Sequence, residues 1–336
     1  MDASLSPRKT KRNNVRWLQQ HWYRITPLHL ILVPLSLLFH LLVTLRCRLY
    51  QLGVFASQKI AVPVIIVGNI TVGGTGKTPL TIWLAQQLIA RGRHPVIVSR
   101  GYGGKIQQPQ RVSISNDAQQ VGDEPLLLAR RNLCPVWVGA DRAATARAAL
   151  QAYPVCDVVL CDDGLQHYRL RRDFEIAVVD GARCFGNGWL LPAGPLREPV
   201  TRLKSVDAVV VNGGASAAGQ YPMQLDGAVF HNLLDPEKTI TAANLQGVLC
   251  HAVAGIAHPQ RFFRQLESLG VTAVPHPFPD HHAYCASDLR FTDCDALLMT
   301  EKDAVKCVTF ADERYWVLRV DAQLDSALIN HILRKI

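Results

Sequence analysis

Apolar residues along this chain gather into one long run and several short ones. The long run covers residues 28–45, LHLILVPLSLLFHLLVTL, and holds no Asp, Glu, Lys or Arg. As a helix it would extend roughly 27 Å, just short of a bilayer's hydrocarbon core. His29, Pro34, Ser36 and His40 interrupt it, so a helix lying in the interface or dipping into one leaflet fits better than a full span. A buried core helix is the plainer alternative. A cleaved leader does not fit, because the run starts late and Arg46-Cys47-Arg48 follows it in place of small residues.

The short runs have a different character. Residues 62–67 (VPVIIV), 155–163 (VCDVVLCDD), 175–180 (EIAVVD), 207–211 (DAVVV), 248–254 and 296–299 are brief and rich in branched residues. They read as strands buried on both faces. Helical spacing lies between many of them, notably over residues 80–90. This alternation predicts α/β layers with parallel sheets. In such sheets ligands collect at the C-terminal strand ends. Polar clusters fall at those ends: Ser99-Arg100-Gly101-Tyr102-Gly103, Asp162-Asp163, Asn212-Gly213-Gly214 and Thr300-Glu301-Lys302-Asp303.

Charge changes the picture at the N-terminus. Residues 1–48 carry eight cations (Arg8, Lys9, Lys11, Arg12, Arg16, Arg24, Arg46, Arg48) against Asp2, which is +7 of the total +9 and leaves +2 for the rest. A local basic cluster beside an apolar run suits an anionic membrane surface better than nucleic acid. The 9 cysteines are scattered without a CxxC pair, so a reduced compartment is expected and no disulfide framework. The 336 residues suffice for two domains. Residues 214–245 give weak signals for where a border lies.

The sharpest chemistry follows the strand at 62–67: Gly68-Asn69-Ile70-Thr71-Val72-Gly73-Gly74-Thr75-Gly76-Lys77-Thr78. Glycines let backbone N–H groups turn inward around phosphates, and a helix N-terminus adds partial positive charge. Thr71, Gly73, Gly74, Thr75, Gly76, Lys77 and Thr78 are thus predicted to bind a nucleoside triphosphate. Lys77 reaches the β- and γ-phosphates, and the Thr78 hydroxyl can ligate Mg²⁺. The strict pattern would have glycine at Thr71. An acid at the end of a neighbouring strand completes such a site by serving the metal. Asp162 and Asp163 are the candidates, with the choice between them open.

Further motifs occur in a fixed order: SRGYGG (99–104), VGDEP (121–125), GADR (139–142), CDDGLQH (161–167), LLPAGPLREP (190–199), VVVNGG (209–214), FPDHH (278–282) and TEKDAVK (300–306). With GNITVGGTGKTP they make the chain closely resemble the tetraacyldisaccharide 4'-kinase family, the lipid A 4'-kinases of Gram-negative bacteria, over about residues 30–310. The threonine at 71 is ordinary for that family. The resemblance implies a P-loop NTPase-like α/β/α sandwich with a second, smaller α/β domain and the active site between them. The expected division is an N-terminal membrane-associated helix in 1–50, a kinase core in 51–225 and a smaller domain in 226–336.

The resemblance also implies a reaction. ATP with Mg²⁺ would phosphorylate the 4'-hydroxyl of a tetraacylated glucosamine disaccharide 1-phosphate, giving lipid IVA, at the cytoplasmic face of the inner membrane. A monomer is expected, with anionic lipid and no nucleic acid as partners. Carried over, Asp123 of GDEP is the base and His281 of F-x-DH its partner, with Lys77 as the third catalytic group. Arg142, Arg197 and Glu198 match positions near the phosphates or the sugar headgroup. On residue type alone, Asp123 could be only a helix N-cap. His276, His281 and His282 with Asp280 are a weak metal pattern.

Two other classes use similar loops. A membrane-positioning ATPase of the deviant P-loop type has lysine just before the paired glycines, where this chain has Val72. A GTPase-type metallochaperone needs an NKxD motif, which Asn212-Gly213-Gly214 is not. A purely structural membrane protein would leave the loop, the paired acids and GDEP unexplained.

Overall fold

The computed structural model describes residues 21–23 and 26–336. Arg8, Lys9, Lys11, Arg12, Arg16 and Arg24 of the predicted basic cluster lie outside the described residues.

The branched run becomes strand β1 (Val64–Gly68), fully buried at the centre of a nine-stranded sheet. Its neighbours are β5 (Val158–Asp162) and β6 (Phe174–Asp180), both parallel to it. Beyond β5 come β2 (Pro95–Ser99), β4 (Val136–Val138) and the edge strand β3 (Gln110–Arg111). Beyond β6 come β7 (Ala208–Asn212), β8 (Tyr221–Asp226) and the antiparallel edge β15 (Asp321–Leu324). Alternation along β1 sends Ile65 and Val67 to one face and Val64 and Ile66 to the other. The first face packs on α2 (Lys77–Ile89), the short α3 (Ala118–Val121), α4 (Asp123–Arg130) and α8 (Ala327–Lys335); the second packs on α5 (Arg142–Ala152). This is the expected α/β/α sandwich. Helix α2 starts earlier than the apolar spacing at 80–90 indicates, because Pro79 falls in its first turn, where its missing N–H costs no bond.

A six-stranded sheet forms the second layer system, in the order β10 (Thr239–Thr241), β9 (Val229–Asn232), β14 (Tyr315–Leu318), β13 (Ala296–Thr300), β11 (Cys250–Ala254) and β12 (Ala273–Pro277). Helix α6 (Pro259–Ser268) covers one face through Phe262, Phe263 and Leu266. The short α7 (Glu301–Ala304) follows β13 directly. The chain therefore enters this sheet after β8 and leaves it before β15. The two crossings touch: a Cβ on Gly227 would lie 2.3 Å from the Arg319 carbonyl oxygen. The expected smaller block of 226–336 differs from this topology at its end, since β15 and α8 pack with the larger sheet. A four-residue strand carries too little pattern to reveal its partner.

The apolar run forms helix α1 (His29–Gln51), the one helix among the described residues long and apolar enough to cross a membrane. Only a narrow stripe of it docks. His29 Nε2 lies 3.1 Å from the Ala193 carbonyl, and the buried Ser36 hydroxyl donates to the Leu190 carbonyl at 2.7 Å. Phe39 joins Ile70, Leu190 and Leu196 in a small apolar cluster. Two of the polar residues that interrupt the run, His29 and Ser36, thus fix the helix to the body. The rest stands exposed, with Leu30 at 82% and Leu41 at 63%, so the helix is not a core helix.

Candidate active site

The phosphate loop leaves β1 at the centre of the sheet, flanked by strands on both sides. Segment 190–197 pairs beside it: Val72 N–H donates to the Pro195 carbonyl at 2.8 Å and Arg197 N–H to the Ile70 carbonyl at 2.7 Å, and Thr71 bridges Leu196. Gly73 and Gly76 take φ of 103° and 97°. Lys77 Nζ reaches Asn69 Oδ1 at 3.2 Å and Asp163 at 3.4 Å.

The paired acids divide in environment. Asp162 ends β5 and is fully buried; its Oδ1 accepts from the Thr81 hydroxyl at 3.3 Å, while Oδ2 has no partner. Burial, with Glu124 and Asp163 close by, pushes its carboxyl up to about 7. Asp163 turns out of the strand at φ 51°. It meets Lys77 and Arg197, each at 3.4 Å, and Arg142 donates to its backbone carbonyl at 2.6 Å. Burial opposes ionisation there, but Lys77, Arg197 and Arg142 hold the carboxyl down at about 2.

A buried carboxylate oxygen with no hydrogen-bond partner is suited to accept a cation. Among the described residues no three His, Cys, Asp or Glu side chains converge as a protein cage. Mg²⁺ fits that poverty, since it keeps waters and phosphate oxygens and needs one or two protein ligands. Of the expected ligands Thr78, Asp162 and Asp163, the last already meets Lys77 and Arg197, so Thr78 and Asp162 would be the ones to hold the ion.

Across the site, Asp123 opens α4. Its N-cap is Gly122, and the Asp123 carboxylate makes no capping bond. It accepts instead from His281 Nδ1 at 3.0 Å, on the loop after β12. Burial raises the Asp123 carboxyl, yet the His281 bond and the Lys306 ammonium at 3.8 Å outweigh it and leave the group below the usual carboxylate range. The exposed ring of Tyr102 lies 5.6 Å from that of His281.

Two lysines of TEKDAVK complete this half, and neither was singled out by residue type. Lys302 lies 3.2 Å from Glu124, 3.5 Å from Asp280 and 3.4 Å from His281 Nε2. Burial disfavours its charge, but Glu124, Asp280 and Asp123 raise it above the ordinary lysine range. Lys306 binds the fully buried Asp303 at 2.8 Å. The signal was the polar cluster at the end of β13. Glu124 connects the halves, acting on both Lys302 and Asp162.

Other expected residues fall elsewhere. Glu198 is 2% exposed, and both its oxygens are taken, by the Tyr168 hydroxyl and by Gln166 Nε2 at 3.0 Å. It fastens the 161–168 loop rather than facing a headgroup. The weak histidine metal pattern disperses: His276 pairs with His251 at 2.9 Å and His282 with Asp288 at 3.0 Å.

Known proteins resemble this chain over most of its length. A sequence-family model described as Tetraacyldisaccharide-1-P 4'-kinase matches residues 28–336. The protein named tetraacyldisaccharide 4'-kinase from Methylobacillus flagellatus is 53% identical, over 96% of this chain and 96% of its own. That from an Azoarcus species is 51% identical over 94% of each chain. A crystal structure of LpxK from Aquifex aeolicus, described as an "apo" form in complex with ATP, superposes with a TM-score of 0.77. It shares 29% identity and covers 90% of this chain and 97% of that one.

Proposed function

This chain belongs to the tetraacyldisaccharide-1-P 4'-kinase family, kinases of lipid A biosynthesis, and from that premise we propose that it moves the γ-phosphate of ATP to the 4'-hydroxyl of a tetraacylated disaccharide 1-phosphate, with Asp123 as base. The observation that carries the base assignment is the Asp123–His281 bond at 3.0 Å, made between a helix of the larger sheet and the loop after β12 of the smaller one. A sugar hydroxyl is a poor nucleophile, and a carboxylate that takes its proton during attack lowers the barrier. Asp123 sits in the first turn of α4, where the helix dipole favours its anion. His281 orients it. Lys306, 3.8 Å from Asp123, and Lys302, 3.4 Å from His281, keep positive charge beside the pair, so the carboxylate stays ionised.

The phosphate loop holds the triphosphate. Lys77 offsets charge on the transferring group, with Arg197 and Arg142 behind Asp163. Bound Mg²⁺ would offset further negative charge on the phosphates, held by Thr78 and Asp162.

The acceptor carries four acyl chains, and α1 supplies an apolar face beside segment 190–197, which itself pairs with the phosphate loop. A helix hydrogen-bonded to the body at both His29 and Ser36 lies along the protein surface. This supports monotopic attachment to the cytoplasmic leaflet, with lipid entering from the side.

The test is transfer of label. Purified protein is incubated with [γ-³²P]ATP, Mg²⁺ and the disaccharide 1-phosphate in detergent. Label on the lipid is expected, and Asp123→Ala is expected to abolish it while ATP binding persists. Phosphate release without lipid labelling would refute the kinase reading. Near-normal transfer by Asp123→Ala would remove that residue from its role.

A further inference from the structure

A phosphate loop works only if its peptide planes are turned so that N–H groups face the anion. In a trans peptide the carbonyl points opposite to the N–H of the next residue. Whatever grips a loop carbonyl from outside therefore aims the following N–H inward. In this protein two loop carbonyls are gripped. Arg183 donates to the Gly74 carbonyl at 2.5 Å, and Asn212 Nδ2 donates to the Thr75 carbonyl at 2.9 Å. The N–H groups so aimed are those of Thr75 and Gly76, and neither donates to an acceptor among the described residues. The Thr75 hydroxyl beside them is buried and without a partner. Fit is close: a Cβ at Gly76 would lie 2.5 Å from Asn212 Nδ2.

Both grips are also contacted from helix α6, which covers the smaller sheet. Arg183 is anchored by Asp180 at 3.0 Å and hydrogen-bonds His258, the N-cap residue of α6. Asn212 Oδ1 accepts from Arg261, in the first turn of α6, at 3.1 Å. One helix end thus reaches both carbonyls through one intermediary each.

Building on the kinase reading above, we propose that Arg183 and Asn212 are positioning residues that preset the phosphate cradle, and that His258 and Arg261 couple the cradle to the smaller sheet. Neither Arg183 nor Asn212 needs to touch the nucleotide. Their effect is on ATP affinity, and through it on how the nucleotide site responds to the orientation of the sheet that carries His281.

The test is calorimetric titration of the full chain with ATP and Mg²⁺, together with KM for ATP and for the lipid measured separately. Removing a charged hydrogen bond to a loop carbonyl should cost about tenfold in ATP affinity for Arg183→Ala. The loss falls on KM for ATP, with the lipid KM unmoved. Arg183→Lys keeps a donor near Gly74 and should recover part of it. Arg261→Ala and His258→Ala lie outside the loop, so they carry the test if Arg183→Ala does not fold; each should shift ATP affinity in the same sense by about threefold. A folded Arg183→Ala with wild-type ATP affinity overturns the proposal, as do wild-type affinities in both Arg261→Ala and His258→Ala, or a loss confined to lipid KM. A wild-type protein that binds no ATP would sink the kinase reading instead, a separate outcome.

Discussion

Arg131 follows α4 and ties it to the point where the chain returns from the smaller sheet. Its side chain is 4% exposed, and its guanidinium binds Asp321 at 2.6 Å, Glu301 at 2.7 Å and the Val320 carbonyl at 2.9 Å. Arg131→Met keeps most of the volume and removes all three bonds. The Asp321 contact is 41% exposed on the acid's side, so solvent screens it to about 0.5 kcal/mol. The Glu301 contact is better shielded and should contribute about 1.5 kcal/mol, with about 1 kcal/mol for the carbonyl. The expected loss is then about 3 kcal/mol, at the low end for breaking a buried pair. Urea unfolding followed by tryptophan fluorescence reads it as a lowered midpoint at unchanged slope. Arg131→Lys should recover less than half. Because Arg131 anchors the helix that begins with Asp123 to the segment bearing Lys302, kcat should also fall. A midpoint shift worth under about 1 kcal/mol would refute the claim that this side chain staples the crossing.

Other expectations follow from the same geometry. Leu37, Leu41 and Leu45 are each at least half exposed; at about 1.5 kcal/mol apiece, changing all three to Ser should weaken binding to anionic vesicles by about a thousandfold, and unchanged flotation would rule out α1 as the membrane face. Burial, then the Arg142 charge, hold His167 down at about 4, below the ordinary histidine value. The unfolded chain binds that proton first, so stability should decline as pH falls from about 6.5 toward 4 and be flat above; His167→Gln should flatten the decline, and an unaltered profile would exclude this source. In metal-free protein, Asp162 must lose its proton to ligate a cation, so Mn²⁺ affinity should rise with pH through about 7 and level off above it. Affinity independent of pH there would place the ion elsewhere.

Much of the fold was legible because buried parallel strands advertise themselves. The runs near 155–163, 175–180 and 207–211 became β5, β6 and β7, and those at 248–254 and 296–299 became β11 and β13. Strands β8, β9 and β10 were not, since half-exposed strands such as Tyr221–Asp226, parallel to β7 but antiparallel to β15, carry a diluted pattern. The phosphate loop could be read from local chemistry alone. The Asp123–His281 contact could not: it joins residues 158 apart in sequence, and only the family resemblance brought them together beforehand. Arg183 and Arg261 were invisible for a different reason. What matters is the loop carbonyl that Arg183 grips and the asparagine that Arg261 holds, and no spacing rule marks those. Glu198 shows what a motif match leaves out: the structure buries it and gives both its oxygens to Tyr168 and Gln166.

The paired crossings at Gly227 and Arg319 also have a consequence for the order in which the molecule is built. Chains leave the ribosome N-terminus first, at about 5–20 residues per second. Helix α1 is therefore free to meet a lipid surface long before β15 can pair with β8 through Met223 and Leu324. Helix α8, which closes the face over α2 with Leu328, Ile329 and Ile332, arrives later still. The smaller sheet, by contrast, has all its strands by residue 318. A nascent chain would thus hold an anchored start and a finished inner unit while its nucleotide core still lacked an edge. Competence to bind ATP should appear only after the last helix has emerged, which ribosome-stalled chains of graded length could time.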